Sequence, residues 1–360
     1  MNKNELLWPL NNFCLIDSNL WFVPYWGGVL CQYDLDERKI NSIIEIPEIS
    51  MPNNSFYGIV QMKQNLILYP GFGEDLCIYN MERKTFDSFA FPRNSGMTFE
   101  SFYLYENFNN FVYLFPYAYR KIIEIRNIDN NWAFESYECN YDNICDTTVT
   151  RDAIFFVNLT DKIMRFDCNN RQLTEITAPV EEKLCFRNIL RITDNQLLLI
   201  TNTGIGYRYT LTGCTMDKIF DLKSEICSAV ISSEKIYLFP KGEDIKLYVV
   251  DIKKDEKLVI EIDKGEYYKK WFGPSFSNCI VYGNKIYVFN TFTQALYILN
   301  TSKNDDIKVD RFYINWERDL NRSRLIEDKL LELKIKQGEV IIEGEGWYSN
   351  LNSFLSNVIK

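Results

Sequence analysis

Residues 235–240 read KIYLFP, and residues 285–290 repeat them as KIYVFN. The same short apolar run occurs five times earlier: LWFVP at 20–24, LILYP at 66–70, VYLFP at 112–116, IFFVN at 154–158 and LLLIT at 197–201. Runs of this length, rich in β-branched and aromatic residues and bounded by Asn, Asp, Gly and Lys, are strand language. Taking the last residue of each run as an anchor gives Pro24, Pro70, Pro116, Asn158, Thr201, Pro240 and Asn290. The steps between anchors centre on about 44 residues, inside the range of propeller repeats.

A second landmark keeps the same uneven rhythm. Nine to eleven residues past each anchor, another apolar run ends at Asp34, Asn80, Arg126, Asp167, Thr210, Asp251 and Asn300. Asp or Asn belongs just past a strand, because its side chain accepts from the backbone of the turn that follows. Each unit has room for four strands. In the first they are expected at Phe13–Ile16, Leu20–Val23, Leu30–Tyr33 and Ile43–Ile46; in the sixth, at Cys227–Ile231, Ile236–Phe239, Lys246–Val250 and Leu258–Ile262. Four antiparallel strands per unit make a propeller blade. Closing the ring removes the sheet edges that an open array leaves sticky. The expectation is an all-β, seven-bladed β-propeller over residues 1–315, with six or eight blades as the alternatives. The double rhythm opposes a two-sheet sandwich.

With its KIYLFP and KIYVFN strands, each followed by a strand ending as in QYDLDERKI, the chain resembles the kelch-type or galactose-oxidase-like propellers. A Gly-Gly pair occurs once, at Gly27-Gly28, and the late Trp of a kelch repeat is approximated by Trp132. The resemblance implies architecture and carries over no catalytic residue.

Residues 316–360 differ. NWERDLNRSRLIEDKLLEL is dense in charge and Leu, LELKIKQGEVIIEGE reads as a hairpin, and NLNSFLSNVIK sets Leu351, Phe354, Leu355, Val358 and Ile359 on one helical face. That face either docks on the propeller or serves as a partner-binding helix.

Composition narrows the chemistry. The chain has no histidine, which removes Ser-His-Asp and Cys-His nucleophile systems, the imidazole general base and the common histidine-bound metal sites. Neither a cofactor nor a metal is expected. The net charge of −9 and the lack of a Lys/Arg block oppose nucleic acid and anionic membrane as partners. None of the ten cysteines forms CxxC, and several sit in apolar runs, as buried thiols of a reducing compartment do; cytoplasm is the expected location.

Loops just past the anchors should open on one end of the ring. They carry Tyr25, Trp26, Phe72, Tyr117, Tyr119, Arg120 and Phe292. These side chains either stack on a sugar ring or a peptide side chain, or fill gaps between blades. Two of the loops share an acidic pair, Glu74-Asp75 and Glu243-Asp244, read as cation-binding carboxylates or as solvated turns. The Gly-x-Gly pairs at 71–73 and 204–206 read as turn glycines. Two functions follow: a non-catalytic scaffold for a protein or peptide partner, or a small-ligand binder or enzyme working at the channel mouth with aromatic and acidic residues.

Overall fold

The computed structural model describes residues 12–23, 29–47, 55–72, 75–90, 102–116, 120–128, 131–179, 183–241, 246–253, 256–262, 276–277, 279–290, 295–301 and 307–313. They contain twenty-eight strands, numbered here in chain order, in seven four-stranded sheets of consecutive strands. All strand pairings within the sheets are antiparallel. Blade 1 comprises β1 (Phe13–Ile16), β2 (Asn19–Phe22), β3 (Val29–Asp34) and β4 (Lys39–Glu45). Blade 6 runs from β21 (Ile226–Ser232) through Lys235–Pro240 and Lys246–Asp251 to Lys257–Glu261. Seven of these lie within one residue of the bounds expected from sequence, and β4 begins four residues earlier than expected.

The innermost strands are β1, β5 (Ser55–Met62), β9 (Phe102–Phe108), β13 (Asp146–Val149), β17 (Phe186–Thr193), β21 and β25 (Ile280–Tyr282). Each neighbours the next around the ring, and β25 neighbours β1. The chain is therefore a closed seven-bladed β-propeller. Among the described residues no strand is shared between the first and last blades, and packing of blade 7 on blade 1 closes the ring.

The core is distributed over seven seams. Each apolar cluster draws on two adjacent blades, and the closing one joins Phe13, Phe22 and Tyr33 to Tyr287, Phe289 and Leu296. Six tyrosines, from Tyr33 to Tyr297, are among the largest fully buried side chains. Most of the aromatic content is thus packing material between blade faces.

The Asp/Asn landmark works as expected. Asp34 Oδ1 accepts the N–H groups of Asp36 and Glu37, both at 2.9 Å, and Asp167 and Asn80 hold their turns in the same way. Two of the supposed turn glycines are corrected by the structure. Gly71 lies inside a strand, Asn65–Phe72, and Gly206 inside another, Ile205–Thr210. At Gly206 a Cβ would sit 2.2 Å from the Phe220 ring, so the position is one of close packing; Gly204, at φ +82°, is a true turn glycine.

One seam holds charge. Glu124, with no exposed surface, pairs with Arg126 of its own strand and with Arg171 Nε of blade 4 at 2.8 Å. Tyr137 accepts from Arg171 Nε at 3.2 Å and donates to Glu135 at 2.6 Å, and Phe111 lies under both guanidiniums. A buried carboxylate demands such partners.

Candidate functional site

Register defines the site. In every blade the second strand runs antiparallel to the innermost one, so it ends where the innermost strand begins. Phe102 pairs with Pro116, Phe186 with Thr201, and Ile226 with Pro240. The ends of the second strands and the starts of the innermost strands therefore share one end of the ring, its mouth.

One residue layer at this mouth recurs in every blade. Gly58 pairs with Tyr69, Leu104 with Phe115, Asp146 with Val157, Asn188 with Ile200 and Ser228 with Phe239. Asn12 precedes Phe13, the partner of Phe22, and Ser277 N–H donates to the Phe289 carbonyl. The layer is thus Asn12, Gly58, Leu104, Asp146, Asn188, Ser228 and Ser277, mostly polar and mostly buried. It forms a collar whose members stitch blades together. Asn12 donates to the Tyr69 hydroxyl at 2.7 Å, Asp146 accepts the Ile189 N–H at 2.9 Å, and Ser228 lies 3.2 Å from Cys279 Sγ.

The acidic member is chemically distinct. Asp146 accepts the Thr147 and Ile189 N–H groups through separate oxygens, and the Asn188 amide hydrogen-bonds to it as well. Burial outweighs these bonds and the nearby Arg187 charge, and pushes its carboxyl up to about 7. On the neighbouring innermost strand, Glu106 accepts the Thr147 hydroxyl at 2.8 Å. Burial pushes Glu106 up to about 7 also, with Thr147 opposing and the Asp146 charge adding. Both side chains are half-buried. Carboxyls poised near neutrality can exchange protons or hold a cation. The thiols beside them are poor nucleophiles, because burial pushes Cys145 up to about 11 and Cys279 to about 12. Among the described residues, no group of three or more Cys, Asp or Glu could hold a metal ion.

Of the residues proposed from sequence, Arg120 lies at the mouth, exposed, in a two-pronged ion pair with Asp142 at 3.0 and 2.9 Å. The guanidinium holds the Asp142 carboxyl below its usual range. Phe72 ends a strand on this side. Asp75 departs from the expectation of an acidic loop residue. It opens a strand, Asp75–Asn80, and is buried, because the preceding strand continues past Pro70 to Phe72. Tyr25, Trp26, Glu74, Tyr117, Tyr119, Glu243, Asp244 and Phe292 lie outside the described residues, as do Leu351, Phe354, Leu355, Val358 and Ile359 with the whole of 316–360.

Glu106, Asp146 and Asn188 were missed by attention to apolar runs, since DTTV and FYLYENF break the pattern. A signal was present: each collar residue stands twelve or thirteen positions before its anchor.

No family model matches the chain, and no curated protein matches it in sequence. Solved structures do. The chain is similar to the WD40 β-propeller domain of Doa1 (TM-score 0.58, 10% identity, covering 86% of this chain and 94% of that one). It is similar to Hsv2 of Kluyveromyces lactis (TM-score 0.54, 10% identity, 85% and 99%). It is also similar to PorZ, a bacterial surface component of the type-IX secretion system of Porphyromonas gingivalis (TM-score 0.60, 11% identity, 85% of this chain), and spans 38% of PorZ. At these identities the likeness is one of fold.

Proposed function

We propose that the chain is a non-catalytic scaffold whose mouth binds a protein or peptide partner. The observation that carries this reading is the closed ring itself, which gathers the ends of the second strands and the starts of the innermost strands on one end. The described polar groups there support it, being engaged in holding structure: Arg120 with Asp142, and Arg187 and Lys241 with Glu225 at 2.7 and 3.1 Å. A kelch-like ancestry is supported by the KIYLFP and KIYVFN strands, and a reducing, cytoplasmic setting by ten free cysteines.

Affinity capture from the native host, followed by cross-linking, tests the reading. Cross-links should fall on mouth residues such as Lys162 and Lys241. A chain that is recovered alone, or is cross-linked only through the outermost strands, would contradict it. One observation favours the second reading, a small-ligand binder or enzyme at the same mouth. It is the pair of carboxyls pushed up to about 7.

A further inference from the structure

The collar contains an unmet acceptor. Asn188 is 4% exposed, its amide nitrogen is committed to Asp146, and its Oδ1 meets no donor. When the Asp146 carboxyl is ionised, turning the amide over would set its oxygen against a carboxylate oxygen, so the ionised form fixes the polarity of the side chain. A buried acceptor without a partner is costly and rare in native proteins, and such groups concentrate at functional sites. Here it adjoins a carboxylate whose two oxygens each accept one backbone N–H and keep lone pairs to spare.

We propose that Asp146 and Asn188, with Ser228 beside them in the collar, bind a protonated primary amine at the mouth of the ring. This deepens the reading of the mouth as the binding end and rests on it. Acceptors predominate here, which calls for a donor-only group. An ammonium is compact and offers three N–H donors. A guanidinium needs an open carboxylate edge for its planar fork, and both oxygens of Asp146 are already engaged. The charges around the site leave room for a cation. Glu106 faces it from β9 and Cys145 immediately precedes it in the chain. Arg187, on β17, is drawn off by Glu225, which also holds Lys241, and Cys279 approaches from the start of β25. The amine is either a lysine side chain of the partner or a small free amine, and the probes separate the two.

Calorimetry on the full chain would use n-butylammonium, tetramethylammonium, and an acetylated, amidated Gly-Lys-Gly peptide. Butylammonium is expected to saturate the site and tetramethylammonium, equal in charge but without N–H, is not. Tighter binding of the peptide assigns a side chain; binding of butylammonium alone assigns a free amine. A bound cation favours the ionised carboxylate, so binding releases a proton below pH 7. Affinity should therefore fall up to about tenfold per pH unit below 7 and level off above it. Asp146→Asn and Asn188→Leu should each abolish saturation with the fold retained by circular dichroism. If either variant fails to fold, the contrast between the two wild-type probes decides. Equal response to tetramethylammonium, or no response to either amine because the collar holds an ordered water only, overturns the proposal. A partner that still co-purifies with Asp146→Asn would leave the scaffold reading standing while this site falls. Amine binding without any partner would do the reverse.

Discussion

Replacing Glu124 with Gln should loosen the seam between blades 3 and 4. The carboxylate has no exposed surface, and with Tyr137 and Phe111 it joins Arg126 of blade 3 to Arg171 of blade 4. Losing one partner of a buried ion pair costs about 3–5 kcal/mol, because the remaining charge is left unmatched. Two features reduce that figure here. The arginine side chains are 23% and 24% exposed, so water reaches them, and Arg126 keeps Glu135 at 2.5 Å. Gln also preserves one acceptor. The expected loss is about 2–3 kcal/mol, or roughly 4–6 °C in melting temperature for a chain of this size. Urea unfolding followed by Trp fluorescence reads it directly, with the slope unchanged. A double-mutant cycle with Arg171→Met should return a coupling on the order of 1–2 kcal/mol. A loss below about 0.5 kcal/mol, the range of ordinary surface changes, would refute the view that this cluster fastens the seam.

Four further outcomes follow. Phe289→Ala, in the seam that closes the ring, should cost about 3–5 kcal/mol and raise hydrogen exchange in blades 1 and 7 first; uniform exchange would contradict closure by packing alone. Gly206→Ala should destabilise by about 1–3 kcal/mol, and Phe220→Leu in the same chain should recover part of the loss; no recovery would mean that the ring is not the obstacle. Asp146 and Glu106 have folded values raised above their unfolded ones, so their contribution is full below about pH 4 and is lost as pH rises through about 7. Stability should fall by about 5 kcal/mol between pH 5 and 8, and Asp146→Asn should remove about half of that fall; a flat wild-type profile refutes the assignment. A thiol reagent should modify exposed Cys214 well before the buried Cys14, Cys31 and Cys77, whose thiols burial pushes up; equal rates would show that the blades open readily.

Architecture was legible in the sequence because the second strand of each blade is buried on both faces. Such a strand must be an unbroken apolar run, and LILYP, VYLFP and IYLFP are that run repeated. The Asp or Asn closing the third strand was legible for a different reason: a turn there needs a side-chain acceptor, as Asp34 and Asp167 provide. Chemistry was less legible. Polar innermost strands such as DTTV obey no apolar rhythm, and register with the second strand shows what their near-constant offset from the anchors means, that Asp146, Asn188 and Ser228 stand at one level. Asp75 misled for a related reason. Pro70 and the Gly-x-Gly pair suggested a loop, but the strand Asn65–Phe72 runs through Pro70 and Gly71, and Asp75 opens the next strand as a buried residue.

The central claim is that the mouth of the ring, with its collar of innermost-strand residues, is the binding end. Hydrogen–deuterium exchange on the chain, alone and with the captured partner, tests it most directly. The claim requires new protection at the starts of β13, β17 and β21 and in the connections around Arg120 and Asn158. Protection confined to the outermost strands, such as β4 and Lys257–Glu261, would contradict it.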